Sequence, residues 1–193
     1  MNRVIFITGG ARSGKSSFAL KMATELPGKK VYIATAEPLD EEMRERIKRH
    51  KEERGEEWLT IEEPLKIAGL LRELKGRYDV LLLDCLTLWL SNMMLAKEVQ
   101  GSMFNVQDRK GISEEIEEFI TTLKDFIAPS VLNAQSSALV VVSNEVGMGI
   151  VPEKEVARRF RDLAGLLNQK VAEIADEVYL VISGIPLKIK GYG

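Results

Sequence analysis

The chain has 193 residues, 45% hydrophobic and 29% charged, which suits one compact domain with its own core and excludes disordered and collagen-like chains. Lys and Arg total 27 against 29 Asp and Glu, a formal charge of -2, so no cationic excess exists to drive binding to a nucleic-acid backbone. A single cysteine, Cys85, and a single histidine, His50, exclude an intramolecular disulfide and a Cys/His zinc cage, and the lone thiol points to a reducing, cytoplasmic compartment.

In chain order, Val4 to Ile7 is a short β-branched run before Thr8-Gly9-Gly10, too brief for the apolar part of a signal peptide, and it reads as a strand. Ser16 to Leu26 reads as a helix stopped by Pro27-Gly28, and Val31 to Ile33 as a strand. Asp40 to Arg54 reads as a helix closed by Gly55, Trp58 to Ile61 as a short extra strand, and Pro64 to Lys75 as a helix ending at Gly76. Val80 to Leu83 is the next strand. The stretch Val80 to Ala96 is the most lipid-like of the chain, but Asp84, Ser91 and Asn92 interrupt it and it falls short of the roughly 20 apolar residues a membrane span needs. Glu98 to Gly111, polar and bounded by Gly101 and Gly111, reads as a surface excursion. Ser113 to Ile127 is a helix ending before Pro129, Leu139 to Val142 a strand, Glu153 to Ala175 a helix with Val156, Phe160, Leu163, Leu167, Val171 and Ile174 on one face, and Val178 to Ile182 the last strand. Continuous apolar strands alternating with helices predict an α/β fold, a mostly parallel sheet with helices on both faces, in one domain over residues 1–193.

Gly9-Gly10-Ala11-Arg12-Ser13-Gly14-Lys15-Ser16 satisfies the pattern G-x-x-x-x-G-K-[ST] between a predicted strand and a predicted helix. Glycines there let backbone N–H groups wrap phosphates, and the helix N-terminus adds positive potential. Lys15 is expected to reach the β- and γ-phosphates, Arg12 to add positive charge, and Ser16 to offer an oxygen to Mg²⁺. Asp84, ending a hydrophobic strand, reads either as a second Mg²⁺ ligand or as an ordinary strand-end turn residue. No [NT]-K-x-D guanine-reading motif occurs, which disfavours a signalling GTPase.

On the predicted helix Asp40 to Arg54, Met43, Ile47 and His50 share one face, while Glu42/Arg46 and Glu45/Arg49 are spaced as i,i+4 pairs. His50 reads either as a packed, hydrogen-bonded histidine or as a nucleophile. An imidazole with a reference pKa of about 6.5 is largely neutral near pH 7, and Arg46, Arg49, Lys51 and Arg54 favour that nucleophilic form while attracting polyphosphate. Asn144 to Pro152 follows a strand and so lies at the carboxyl edge of the sheet, where ligands of open α/β folds bind; a substrate-side or subunit-contact role is expected for it.

Taken together, Thr8 to Ser16, Tyr32-Ile33-Ala34-Thr35-Ala36, Asp40 to Met43, Arg46-Ile47 with His50-Lys51, Asn144 to Glu153, Phe160 to Gly165 with Asn168-Gln169, and Val181 to Ile185 carry a nearly end-to-end resemblance. The sequence resembles the bifunctional adenosylcobinamide kinase / adenosylcobinamide-phosphate guanylyltransferase family. That resemblance implies a RecA-like P-loop fold, assembly as a homotrimer, and two activities. ATP or GTP phosphorylates adenosylcobinamide; GTP then donates GMP to a histidine, and the GMP passes to adenosylcobinamide phosphate, giving adenosylcobinamide-GDP and pyrophosphate. His50 occupies the guanylylated position. The family's nucleotide contacts carry over to Gly9, Gly10, Ala11, Arg12, Ser13, Gly14, Lys15 and Ser16, to Ala34, Thr35 and Ala36, to Lys51, Glu52, Glu53 and Arg54, to Glu62, where a carboxylate could meet a guanine edge or be a plain surface acid, and to Asp84. A small-molecule kinase without nucleotidyl transfer, and a non-catalytic nucleotide sensor, are the alternatives.

Overall fold

The computed structural model describes residues 2–38, 41–98, 106–129 and 137–191. In chain order the elements are β1 (Arg3–Gly9), α1 (Lys15–Glu25), β2 (Lys30–Ala34), α2 (Glu41–Arg54), β3 (Trp58–Glu62), α3 (Ile67–Leu74), β4 (Val80–Asp84), α4 (Leu86–Glu98), α5 (Val106–Ile127), β5 (Ala138–Asn144), α6 (Glu155–Ile174), β6 (Glu177–Ile182) and β7 (Ile185–Lys190). The strands form one sheet in the order β3-β2-β4-β5-β1-β6-β7. Every pairing is parallel except the hairpin β6–β7.

Side chains alternate between the two faces of a strand, and the apolar positions sort accordingly. Val4, Phe6, Val31, Ile33, Leu81, Leu83, Leu139 and Val141 pack under α3, α4, α5 and α6. Ile5, Ile7, Tyr32, Ala34, Val80, Leu82, Val140 and Val142 form the opposite core with Ala19 and Ala23 of α1 and with Trp58. The sheet is thus covered on both faces, and the runs without polar alternation follow from that double burial.

Three elements depart from the sequence reading. The apolar stretch after β4 is a buried helix, α4, with Leu86, Trp89, Leu90, Asn92, Met93 and Met94 all buried. A helix that is apolar around most of its circumference, down to the exposed Leu95, shows little amphipathic period to read. The excursion expected through Gly111 is shorter, because α5 already begins at Val106 and carries Gly111 in its interior with Ile112 fully buried beside it. A mid-helix glycine costs about 1 kcal/mol relative to alanine, which tertiary packing here outweighs. The remainder of that excursion, residues 99–105, lies outside the described residues. Finally, β7 adds an antiparallel edge strand whose residues are all exposed. Its Pro186 sits where an edge strand tolerates a missing donor.

Candidate nucleotide site

The phosphate loop joins β1 to α1, and its residue types follow from its geometry. A Cβ on Gly9 would lie 2.4 Å from the Val181 carbonyl oxygen, so only glycine passes between β1 and β6 there. The Ser13 N–H closes a turn on the Gly10 carbonyl at 3.2 Å, and Gly14 adopts φ 91°, a left-handed conformation that glycine takes without strain. Gly14 caps α1 without a side-chain hydrogen bond, and the first turn carries no acidic residue. The first N–H groups of the helix therefore have no capping side chain or first-turn carboxylate competing for them. Lys15 is 6% exposed, and its Nζ donates to the Gly10 carbonyl at 3.3 Å. The hydroxyls of Thr8 and Ser13 are buried and make no hydrogen bond among the described residues. Ala11 and Arg12 are exposed at the tip, Gly10 leaves open space around its Cα, and Ser16 is half-buried in the first helical turn.

Strand parity brings the acid to the same face. Asp84 ends β4 in phase with Val80 and Leu82, so it belongs with the α1 side of the sheet, aligned with Ala34 of β2. Its Oδ2 accepts a 2.8 Å hydrogen bond from the Tyr32 hydroxyl. Burial, and then the neighbouring Asp84 charge, push the Tyr32 phenol well above its usual value, so the phenol stays protonated and donating. Cys85 reports the same neighbourhood. Burial and then Asp84 push its thiol up to about 11, while Lys15 acts in the opposite sense, so acid and lysine flank one sulfur. The sequence gives no sign of the Tyr32 contact, because an aromatic residue in a buried strand reads as ordinary core.

Among the other expected contacts, Ala34 is buried, Ala36 half-buried and Thr35 fully buried. The Thr35 hydroxyl bridges the Cys85 backbone, donating to its carbonyl and accepting from its N–H at 2.8 Å each, while the Thr35 carbonyl accepts from Asn92 Nδ2 at 2.7 Å. Thr35 thus locks the ends of β2 and β4 together from inside the protein.

The C-terminal turn of α2 is pinned to this corner at two points. Arg54, 6% exposed, lays its guanidinium 3.8 Å from the Tyr32 ring centroid, and Trp58 closes edge-on against the same ring at 6.4 Å. The Arg54 Nε is buried without a partner among the described residues. Lys51 pairs with Glu62 at the end of β3 at 2.6 Å, both about half exposed, a contact worth little in solvent. Glu62 is therefore engaged by a lysine of the helix. Glu52 is exposed. His50 lies on this same turn of α2; its side chain, with those of Met43, Ile47 and Glu53, lies outside the described residues.

At the end of β5, Asn144 Nδ2 donates to Thr87 Oγ1 at 2.7 Å and the Asn144 carbonyl accepts from Asn168 Nδ2 at 3.1 Å. The Glu145 N–H donates to the Gly9 carbonyl at 2.9 Å, and its carboxylate accepts the Gly147 N–H at 2.7 Å. Asn144 and Glu145 therefore brace the phosphate loop from behind. The outward part of the loop is apolar: Met148 is 82% exposed, Ile150 96% and Val151 60%.

No three carboxylate, histidine or cysteine side chains converge among the described residues. Mg²⁺ keeps several waters and takes one or two protein oxygens beside substrate phosphates. Ser16 and Asp84 supply oxygens of that kind. Among the described residues, no helix is long and apolar enough to cross a membrane.

Residues 5–189 match the family model described as cobinamide kinase / cobinamide phosphate guanyltransferase. The chain is 40% identical over 191 residues to the bifunctional adenosylcobalamin biosynthesis protein CobU of Salmonella typhimurium, covering 97% of this chain and 99% of that one. It is 38% identical over 185 residues to the bifunctional adenosylcobalamin biosynthesis protein CobP of Pseudomonas aeruginosa, covering 96% of each. Among solved structures, an ATPase of a bacterial type III secretion system superposes with a TM-score of 0.58 at 10% identity, over 96% of this chain and 56% of that one. The assembled ATPase EscN of enteropathogenic E. coli gives 0.57 at 11%, over 94% and 43%. The chain spans about half the length of those ATPases or less, and the likeness carries the fold, a RecA-like P-loop architecture. The full-length likeness is to the biosynthetic proteins alone of these, and the chain belongs to the cobinamide kinase / cobinamide phosphate guanyltransferase family.

Proposed function

We propose that this chain phosphorylates adenosylcobinamide with ATP or GTP and then transfers GMP from GTP, through His50, to adenosylcobinamide phosphate. The observation that carries the reading is the corner where Arg54 covers Tyr32, Tyr32 holds Asp84 and Lys51 meets Glu62, because the helical turn making those contacts is the one bearing His50. These contacts support a histidine-bearing helix end held near the strand-end acid that neighbours the phosphate loop.

In the kinase step the substrate hydroxyl oxygen attacks the γ-phosphorus, the bond to the β-phosphate oxygen breaks, and the hydroxyl proton is lost. Such a transfer needs chiefly positioning and charge, which the α1 N-terminus and Lys15 supply. Ser16 and Asp84 would hold a Mg²⁺ ion, which would supply neutralisation of charge on the phosphate oxygens. In the second reaction an imidazole nitrogen of His50 attacks the α-phosphorus of GTP and pyrophosphate leaves into the same cradle. A phosphate oxygen of adenosylcobinamide phosphate then displaces the imidazole, forming the new P–O–P link.

The reading extends to the whole molecule. Strands from residue 3 to residue 190 share one sheet, which supports a single catalytic domain over 1–193. The exposed apolar residues of the 144–152 loop and of β7 support the homotrimer, and the single buried thiol suits the reducing cytoplasm. Incubation with adenosylcobinamide, ATP and GTP tests the reading. The parent chain is expected to yield adenosylcobinamide-GDP and Lys15→Ala to lose at least about a hundredfold in kinase rate, the scale of one lost charge stabilising a transition state. A Lys15→Ala chain as fast as the parent contradicts the use of the cradle.

A further inference from the structure

The phosphate loop and the strand-end acid are carried by strands that are not neighbours. Between β1, which leads into the loop, and β4, which ends at Asp84, runs β5. Asn144 closes β5 in register with Gly9, and Asp84 is in register with Val142, so Asn144 stands two residues beyond the acid on the intervening strand. In phase with Val140 and Val142, it belongs to the α1 side of the sheet, the side of Asp84. Whatever spans the loop and the acid therefore crosses the end of the strand that carries Asn144.

Asn144 is held at three of its four polar atoms: Nδ2 donates to Thr87 Oγ1 at 2.7 Å, the backbone N–H reaches the same hydroxyl at 3.4 Å, and the carbonyl accepts from Asn168 Nδ2 at 3.1 Å. Both supports are packed in place. Thr87 is 5% exposed and Asn168 7%, and Thr87 Oγ1 also meets the buried Cys85 Sγ at 3.2 Å. The fourth atom, Oδ1, makes no hydrogen bond among the described residues, and Asn144 is half-buried, not enclosed. The fold thus fixes an amide and leaves its one acceptor available. An amide oxygen accepts and cannot donate, so the group that suits it is a ligand O–H or N–H, and a bare phosphate oxygen does not.

We propose that Asn144 Oδ1 accepts a hydrogen bond from the alcohol that attacks the γ-phosphorus, which makes Asn144 a catalytic residue of the kinase step and Thr87 the residue that positions it. The inference rests on the kinase reading above. The alcohol O–H donates to Oδ1, and this turns an oxygen lone pair toward phosphorus. The new O–P bond forms, the bond from the γ-phosphorus to the bridging oxygen breaks, its electron pair stays on the β-phosphate, and the alcohol proton is lost to water. An amide is no base near neutral pH, so Asn144 contributes orientation, which is what a transfer governed by positioning requires. The His50 reaction has no use for such an acceptor, because the imidazole nitrogen that attacks carries no proton. Asn144 Oδ1 therefore serves one of the two reactions.

Asn144→Ala removes the acceptor and keeps the backbone tie from the Glu145 N–H to the Gly9 carbonyl, which uses no side chain of residue 144. Assayed below its melting transition, this variant is expected to lose about tenfold or more in kinase kcat, with KM for ATP within about twofold of the parent. The kinase loss is expected to exceed any loss of protein labelling from α-labelled GTP by at least about tenfold. Thr87→Val, which takes away the hydroxyl that holds Nδ2, is expected to reproduce the kinase loss, and Thr87→Ser, which keeps that hydroxyl, to restore most of the rate. This pair carries the same comparison should Asn144→Ala fail to fold. Equal losses in kinase rate and labelling make Asn144 a brace of the loop and overturn the proposal, as does a parental kinase rate in Asn144→Ala or in Thr87→Val. These outcomes leave both reactions standing. A parent chain that phosphorylates no adenosylcobinamide overturns the kinase reading and the inference with it.

Discussion

Asp84 works through a residue the sequence hides. The phosphate loop is legible because backbone geometry dictates residue type there: Gly9 has no room for a Cβ, and Gly14 needs a positive φ. Asp84 is legible as an acid closing a hydrophobic strand. Tyr32 is not, since only the register of β2 against β4 shows that its hydroxyl meets that acid. Arg54 is similarly hidden. On the sequence it is one cation among several on α2, whereas in the fold it is buried over the Tyr32 ring. Tyr32→Phe keeps the ring under Arg54 and removes only the donor to Asp84. A hydrogen bond to a charged group is worth about 1.5–3 kcal/mol, so the thermal melt is expected to fall by several degrees and the kinase kcat/KM by roughly tenfold or more. Because burial and the Asp84 charge push the phenol above its ordinary value, it stays protonated through about pH 6 to 9, and the pH profile over that range is expected to keep its shape. Steady-state kinetics across that range check both points, and an undiminished kcat/KM removes Tyr32 from the site.

At the level of elements, legibility follows burial. Strands buried on both faces are read from their β-branched runs, and helices with one wet face from their period. The chain hides α4 because its surroundings are apolar all round, and β7 because its alternation of Ile, Leu and Lys around Pro186 resembles a loop. Once placed, β7 raises a further point. Ile182, Ile185, Leu187 and Ile189 are each about half exposed or more along the hairpin, and Met148, Ile150 and Val151 are exposed on the loop after β5. An edge strand and a loop with this much open apolar surface suit an interface, and the proposed closed cyclic assembly would cover them. Sedimentation equilibrium is expected to give the mass of three chains, and Ile150→Asp with Leu187→Asp to shift it toward one. A monomeric parent at micromolar concentration contradicts the trimer.

Over the whole molecule, the sheet order sets which elements neighbour the phosphate loop. The phosphate loop follows an inner strand, with the acid, the tyrosine and the histidine-bearing helix on one flank and the β6–β7 hairpin on the other. Composition argued against nucleic acid as a main partner and against a Cys/His zinc cage, and motif order exposed the nucleotide loop. The division between flanks was not readable, because strand order is a property of pairing and not of the run of residues. The account stands on His50 carrying GMP, and it is tested most directly by incubating the chain with GTP labelled at the α-phosphate and then adding adenosylcobinamide phosphate. Acid-labile, base-stable label is expected on the parent protein, chased into adenosylcobinamide-GDP, and absent from His50→Ala while that variant still phosphorylates adenosylcobinamide. Label persisting on His50→Ala contradicts the assignment.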